Sequence, residues 1–131
     1  LSYGRVADWA THGIEHAVSA MYDVTHGVGL AILTPFWMAY VLDDENKDVF
    51  VKYAENVWSI KGGSHGRLAE KGIEETRLFF NSLDMPSRLR EVGVKKDDLG
   101  RLSDIAVRSG SLGKLKKLSR DDVYRILEES F

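Results

Sequence analysis

The sequence predicts an all-α fold, a helical bundle in a single domain. Apolar residues recur at three- and four-residue steps in five or six segments, which marks amphipathic helices. No stretch alternates strictly over five or more residues, as a half-buried strand would. The two prolines, Pro35 and Pro86, fall in a buried helix and at a turn, so little interrupts the pattern. A length of 131 residues suits one compact domain. With 44% hydrophobic and 29% charged residues the chain reads as globular and not disordered.

In the first segment Val6, Trp9, Ala10, Gly13, Ile14, Ala17, Val18 and Met21 form one apolar face. A second helix is expected over 27–42, buried on most sides and kinked at Pro35. The third is expected over 44–59, with Val49, Phe50, Tyr53, Val57 and Trp58 facing inward. Gly62 and Gly63 break the pattern and Ser64 can cap a fourth helix. That helix carries Leu68, Ile73, Thr76, Phe79, Phe80 and Leu83 as its inner face and ends before Met85 and Pro86. Residues 93–98 read as a loop and 99–109 as a short helix. The last helix opens on Ser119 and Asp122, spaced as a capping box, and buries Val123, Ile126, Leu127 and Phe131.

Eighteen basic and twenty acidic residues give a net charge of −2, which disfavours nucleic acid as a partner. The one dense basic patch, Lys114, Lys116 and Lys117 among Leu112, Leu115 and Leu118, reads as a solvated helix edge. No cysteine is present, so any metal must be held by histidine and carboxylate. A reducing compartment is compatible with this, and a cytoplasmic location is expected. The longest uncharged run, residues 27–42, is shorter than the roughly 20 residues a membrane span requires, so no membrane partner is expected. The chain opens at Leu1 without a Met, a basic leader or a small-residue cleavage site. It is therefore expected to be a processed product or an excised piece.

Three of the four histidines fall within fifteen residues: His12, His16 and His26. His12 and His16 are four apart and share one helix face, beside the apolar stripe. A turn at Tyr22, Asp23, Val24 and Thr25 can fold His26 back against the first helix. Imidazole is the commonest protein metal ligand, so the cluster points to a metal or proton-transfer site. The spacing is equally compatible with surface or hydrogen-bonded structural histidines. His12, Glu15 and His16 also fit H-x-x-E-H, in which two histidines hold zinc and the glutamate activates water. That peptidase pattern needs a third ligand, for which Glu55, Glu70, Glu74, Glu75 and Glu91 are candidates, and it gives His26 no role.

A longer pattern is more specific. The run Asp8-Trp9-Ala10-Thr11-His12-Gly13-Ile14-Glu15-His16-Ala17-Val18-Ser19-Ala20 is followed by Tyr22-Asp23-Val24-Thr25-His26-Gly27-Val28-Gly29-Leu30-Ala31-Ile32. Together they closely resemble the iron-containing alcohol dehydrogenases, in particular their butanol dehydrogenase branch. The likeness continues through Pro35 and Tyr53-Ala54-Glu55-Asn56-Val57-Trp58 and is more general beyond.

The resemblance implies the helical C-terminal domain of that family, a dehydroquinate synthase-like α domain, over residues 1–131. In the family a dinucleotide-binding domain precedes it, and catalysis occurs in the cleft between the two. His12 and His26, fourteen residues apart, carry over as two ligands of a divalent metal, Fe²⁺ or Zn²⁺. His16 carries over to a position near nicotinamide and substrate, with a role in proton relay or cofactor contact. The other two ligands, an aspartate and a histidine, would lie upstream of Leu1 with the Gly-rich loop that binds NAD(P). No G-x-G-x-x-G occurs in this chain. The implied partners are a small alcohol or aldehyde, the chain's own N-terminal domain and, for the intact protein, a second copy in a homodimer.

Among the remaining residues, Trp9, Tyr22 and Trp37 are expected in the core, with a substrate cleft as the alternative. Asp8, one turn before His12, either hydrogen-bonds an imidazole N–H or is solvated. Glu15 is expected to support the histidines from behind or to lie on the helix surface. His65 is expected at the surface or in a cap. Separated from its partner domain, the flank around Trp9, Val28 and Ile32 is expected to be partly exposed and to promote self-association. Besides the dehydrogenase domain, a stand-alone zinc peptidase and a non-catalytic helical binding module are the alternatives.

Overall fold

Amphipathic helices are stable only when a neighbour covers the apolar stripe. In the computed structural model of the chain, the helices cover one another. Residues 9–43, 46–59, 65–108 and 117–131 are described. Among them stand six α-helices: α1 (Trp9–Met21), α2 (His26–Val41), α3 (Lys47–Trp58), α4 (His65–Ser82), α5 (Leu99–Ala106) and α6 (Arg120–Ser130). Two 3₁₀ turns, Leu89–Val92 and Lys96–Asp98, occupy the link between α4 and α5. The described residues contain no strand, and no helix among them is long and apolar enough to cross a membrane.

The second helix is the centre of the packing. It touches α1, α4 and α6, and Ala31, Ile32, Leu33, Trp37, Met38 and Val41 are all buried. Cover from several sides explains why it has no polar face, and the helix continues past Pro35 to Val41. Burying each large side chain in this set contributes about 1.5–3 kcal/mol. Around it lie Ile14 and Val18 of α1, Leu99 and Leu102 of α5, and Val123, Ile126 and Leu127 of α6. The helices α3 and α4 pack closely at Ala54 and Gly72, where the hydroxyl of Tyr53 hydrogen-bonds Thr76.

Several expectations are corrected by this packing. The third helix begins at Lys47, after a reciprocal turn in which Asp43 N–H donates to Asn46 Oδ1 (2.8 Å) and Asn46 N–H to Asp43 Oδ1 (3.0 Å). Val49 is 37% exposed, Phe79 45% and Leu83 55%, so none of them belongs to the core. Leu83 follows the last residue of α4, and the apolar stripe overruns the part of the bundle that could cover it. The 93–98 loop contains a 3₁₀ turn, and α5 stops at Ala106. Ile32 is 1% exposed, so the expected apolar flank loses this member to the core. Lys117 is exposed but not helical, and Leu118 next to it is fully buried. The expectations for Val6, Asp8, Ser64, Lys114 and Lys116, and for the side chains of Trp9, Val57 and His65, lie outside the described residues.

The capping box is observed at the start of α6. Ser119 N–H donates to Asp122 Oδ2 at 2.9 Å, and Asp122 N–H donates back to Ser119 Oγ at 3.4 Å. The link between α4 and α5 is fastened by Arg88, whose guanidinium lies 5.1 Å from the centre of the Phe36 ring. The same side chain donates 2.8 Å to the carbonyl of Glu129, near the end of α6.

Candidate metal centre

The three histidines sit on α1 and at the first position of α2, joined by the link 22–25. His12 is partly buried and His16 exposed, on one side of α1, while Thr11, Ile14, Ala17 and Val18 face the core. The backbone of His26 is described and opens α2; its side chain lies outside the described set. Thr25 precedes it in extended conformation, which turns the chain out of the link and into the helix. The sequence-expected turn is therefore present.

This link is tied down. Ser19 Oγ reaches the carbonyl of Val24 at 3.1 Å and also hydrogen-bonds the Glu15 carboxylate. At the start of the link the Tyr22 hydroxyl donates to Asp98 and accepts the N–H of Lys95 at 3.0 Å. Burial, with Asp98 adding to it, pushes the Tyr22 phenol above its usual range. Tyr22 thus clamps the link to the turn before α5 while its partly buried ring packs against the core. Trp37 is wholly buried, as the core expectation has it.

The two helices pack tightly at Gly29. A Cβ placed there would lie 2.6 Å from Cγ of Glu15 and 2.9 Å from its Oε1. Glu15 is only 1% exposed, which rules out the helix surface, one of its two expected places. His12 lies three residues, close to one helical turn, before Glu15, and His26 lies three before Gly29. Sequence reading missed this pair. The available signal was a glycine in the interior of an apolar helix, which costs about 0.5–1 kcal/mol against alanine unless close packing requires it.

Burial of Glu15 removes the basis of the H-x-x-E-H reading. A water-activating carboxylate must reach a solvent-open metal position, and this one is enclosed between α1 and α2. Among the described residues no group of three or more His, Cys, Asp or Glu stands together as a metal-holding set. The donor chemistry at His12 and His26 still suits Fe²⁺ or Zn²⁺, since both accept imidazole.

A helical bundle with this histidine-bearing helix pair defines a class. The pattern of the Fe-containing alcohol dehydrogenase family, C-terminal, matches residues 1–131. The chain belongs to that family and is its helical C-terminal part. It is 47% identical over 134 residues to NADH-dependent butanol dehydrogenase A of Clostridium acetobutylicum, covering 100% of this chain and 34% of that protein. It is 32% identical to the NADPH-dependent aldehyde reductase YqhD of Escherichia coli, over 95% of this chain and 33% of the other. The crystal structure of NADH-dependent butanol dehydrogenase A from Thermotoga maritima superposes with a TM-score of 0.85 at 33% identity, over 95% of this chain and 33% of that one. The chain spans about a third of the length of these relatives. None of this supports a peptidase.

Proposed function

We propose that this chain is the metal-ligating half of an NAD(P)-dependent alcohol dehydrogenase that interconverts primary alcohols and aldehydes. The observation that carries the reading is the position of the histidine motif at the α1–α2 crossing of a domain matched along its whole length by the family pattern. His12 and His26 would hold Fe²⁺ or Zn²⁺ together with an aspartate and a histidine from a preceding dinucleotide-binding domain. When bound, the metal supplies Lewis-acid polarisation of the substrate oxygen, and NAD(P) supplies or takes the hydride.

The contribution of this chain is binding and orientation. His12 and His26 would each hold the metal through one ring nitrogen, leaving the other N–H to donate and fix the ring. His16, exposed one turn beyond His12, takes or gives the proton at the substrate oxygen or contacts the nicotinamide. Buried Ile14, Ala17 and Val18 lock α1 against the core, so the histidine side cannot rotate. A cytoplasmic homodimer acting on a small alcohol or aldehyde such as butanal completes the reading.

The test is the full-length protein with butanal, NADH or NADPH, and added Fe²⁺ or Zn²⁺, following cofactor absorbance. Metal-dependent oxidation of the cofactor is expected, and none from the 131-residue chain alone. A full-length protein inert toward every short aldehyde offered would point to a non-catalytic binding module instead. Turnover by the isolated chain would overturn the half-enzyme assignment.

A further inference from the structure

We infer that Glu15 is a positioning residue that sets the spacing of His12 and His26 by wedging into the gap left by Gly29; the inference rests on the metal-site reading above. Two imidazoles on separate helices chelate one ion only if the helices cross at a fixed distance and angle. At this crossing the contact is made by the stem of a buried glutamate against a residue with no side chain. The carboxylate does not end there. It accepts a hydrogen bond from Ser19, whose hydroxyl stands 3.1 Å from the Val24 carbonyl, in the middle of the link that joins the two histidines.

One side chain therefore touches its own helix and the start of α2, and it reaches the link between them through Ser19. A buried leucine of similar volume would fill the space but would leave Ser19 without the carboxylate. A longer residue at position 29 would displace Glu15. The pair is matched in shape and in hydrogen bonding, one helical turn behind both proposed ligands, where neither side chain has to touch the ion.

The experiment measures Zn²⁺ affinity of the full-length protein by competition with a chromophoric chelator, and the visible spectrum of the Co²⁺-loaded form. Circular dichroism confirms that each variant is folded. Glu15→Gln keeps the shape and changes the hydrogen bonding; Gly29→Ala keeps the carboxylate and closes the gap. Each is expected to weaken Zn²⁺ binding about ten- to a hundredfold and to shift the Co²⁺ absorption bands. In Gly29→Ala combined with Glu15→Ala the clash is gone, and affinity should return part of the way toward the parent. His12→Ala is the reference and should lose the metal altogether. If His12→Ala loses Zn²⁺ while Glu15→Gln and Gly29→Ala bind within twofold of the parent with an unchanged Co²⁺ spectrum, Glu15 does not position the site. If His12→Ala also retains Zn²⁺, the metal-site reading itself fails.

Discussion

The hydroxyl of Tyr40 donates a 2.6 Å hydrogen bond to Oδ1 of Asp122, joining the last turn of α2 to the first turn of α6. The other oxygen of that carboxylate accepts the N–H of Ser119 in the capping box. One acidic side chain therefore starts a helix and docks it on the central one.

This contact makes the stability of the domain sensitive to high pH. Burial first, then the Asp122 carboxylate, pushes the Tyr40 phenol from 10.0 up to about 12. Between these values the unfolded chain releases a proton that the folded chain retains, so stability falls as pH rises. The contribution is full below pH 10 and is lost as pH passes through about 12. Tyr40→Phe should lower stability by about 1 kcal/mol at neutral pH. Its deficit against the parent should shrink between pH 10 and 12, read from urea midpoints; a constant deficit would remove the linkage.

Asp122→Ala removes the acidic half of the capping box and the tyrosine acceptor together, while Ser119 remains as the N-cap. The expected loss exceeds that of Tyr40→Phe by about 0.5–1.5 kcal/mol, the worth of the further hydrogen bonds that Ser119 makes to this carboxylate. Equal losses in the two variants would mean that the Asp122 side of the capping box contributes nothing.

Two glycine substitutions should have opposite outcomes. A Cβ at Gly72 would stand 2.8 Å from Cβ and 3.2 Å from Cα of Ala54, and backbone cannot swing aside. Gly72→Ala should cost about 1–3 kcal/mol through overpacking and strain the Tyr53–Thr76 contact. A Cβ at Gly27 meets nothing within 4 Å, so Gly27→Ala should be neutral or stabilising by up to about 1 kcal/mol. Thermal unfolding of the two variants decides this.

Leu83 and Leu89 are six residues apart and should behave differently. Leu83 is 55% exposed and Leu89 fully buried. Leu83→Ser should change stability by less than about 0.5 kcal/mol, whereas Leu89→Ala should cost about 2–5 kcal/mol. Urea midpoints would expose an error in either assignment.

In the full-length enzyme the three histidines should separate by function. His12→Ala and His26→Ala are expected to lose bound metal and turnover. His16→Ala should keep the metal and, if it transfers a proton, turn over about 10²–10⁴-fold more slowly. His65→Ala should leave turnover unchanged. Metal content beside NAD(P)H consumption separates the cases, and loss of metal from His16→Ala would make it a ligand.

The helices were legible in the sequence because each buries a stripe set by the 3.6-residue repeat, and that repeat is local. Ile14, Ala17, Val18, Val123, Ile126 and Leu127 could be assigned to the core this way, and the Ser119–Asp122 cap from its spacing. Residues at the ends of stripes were misread. Val49, Phe79 and Leu83 continue an apolar period past the surface that covers it, and periodicity carries no record of where a neighbouring helix ends. At the candidate site, the spacing of His12, His16 and His26 was a matter of counting residues.

Tertiary structure alone decided what packs between the two histidine-bearing helices. The sequence cannot say that Glu15 turns inward, because a glutamate beside an apolar stripe is ordinarily solvated. Only the crossing of α1 and α2 shows that its stem fills the gap at Gly29 and that its carboxylate meets Ser19. Likewise Tyr22 and Asp98, 76 residues apart, come together only because α1 packs on α5. Periodicity and spacing are properties of neighbouring residues along the chain, so the sequence determined the helices and the family motif. Contacts between distant segments depend on which helix faces meet, and that is settled when the whole core packs at once.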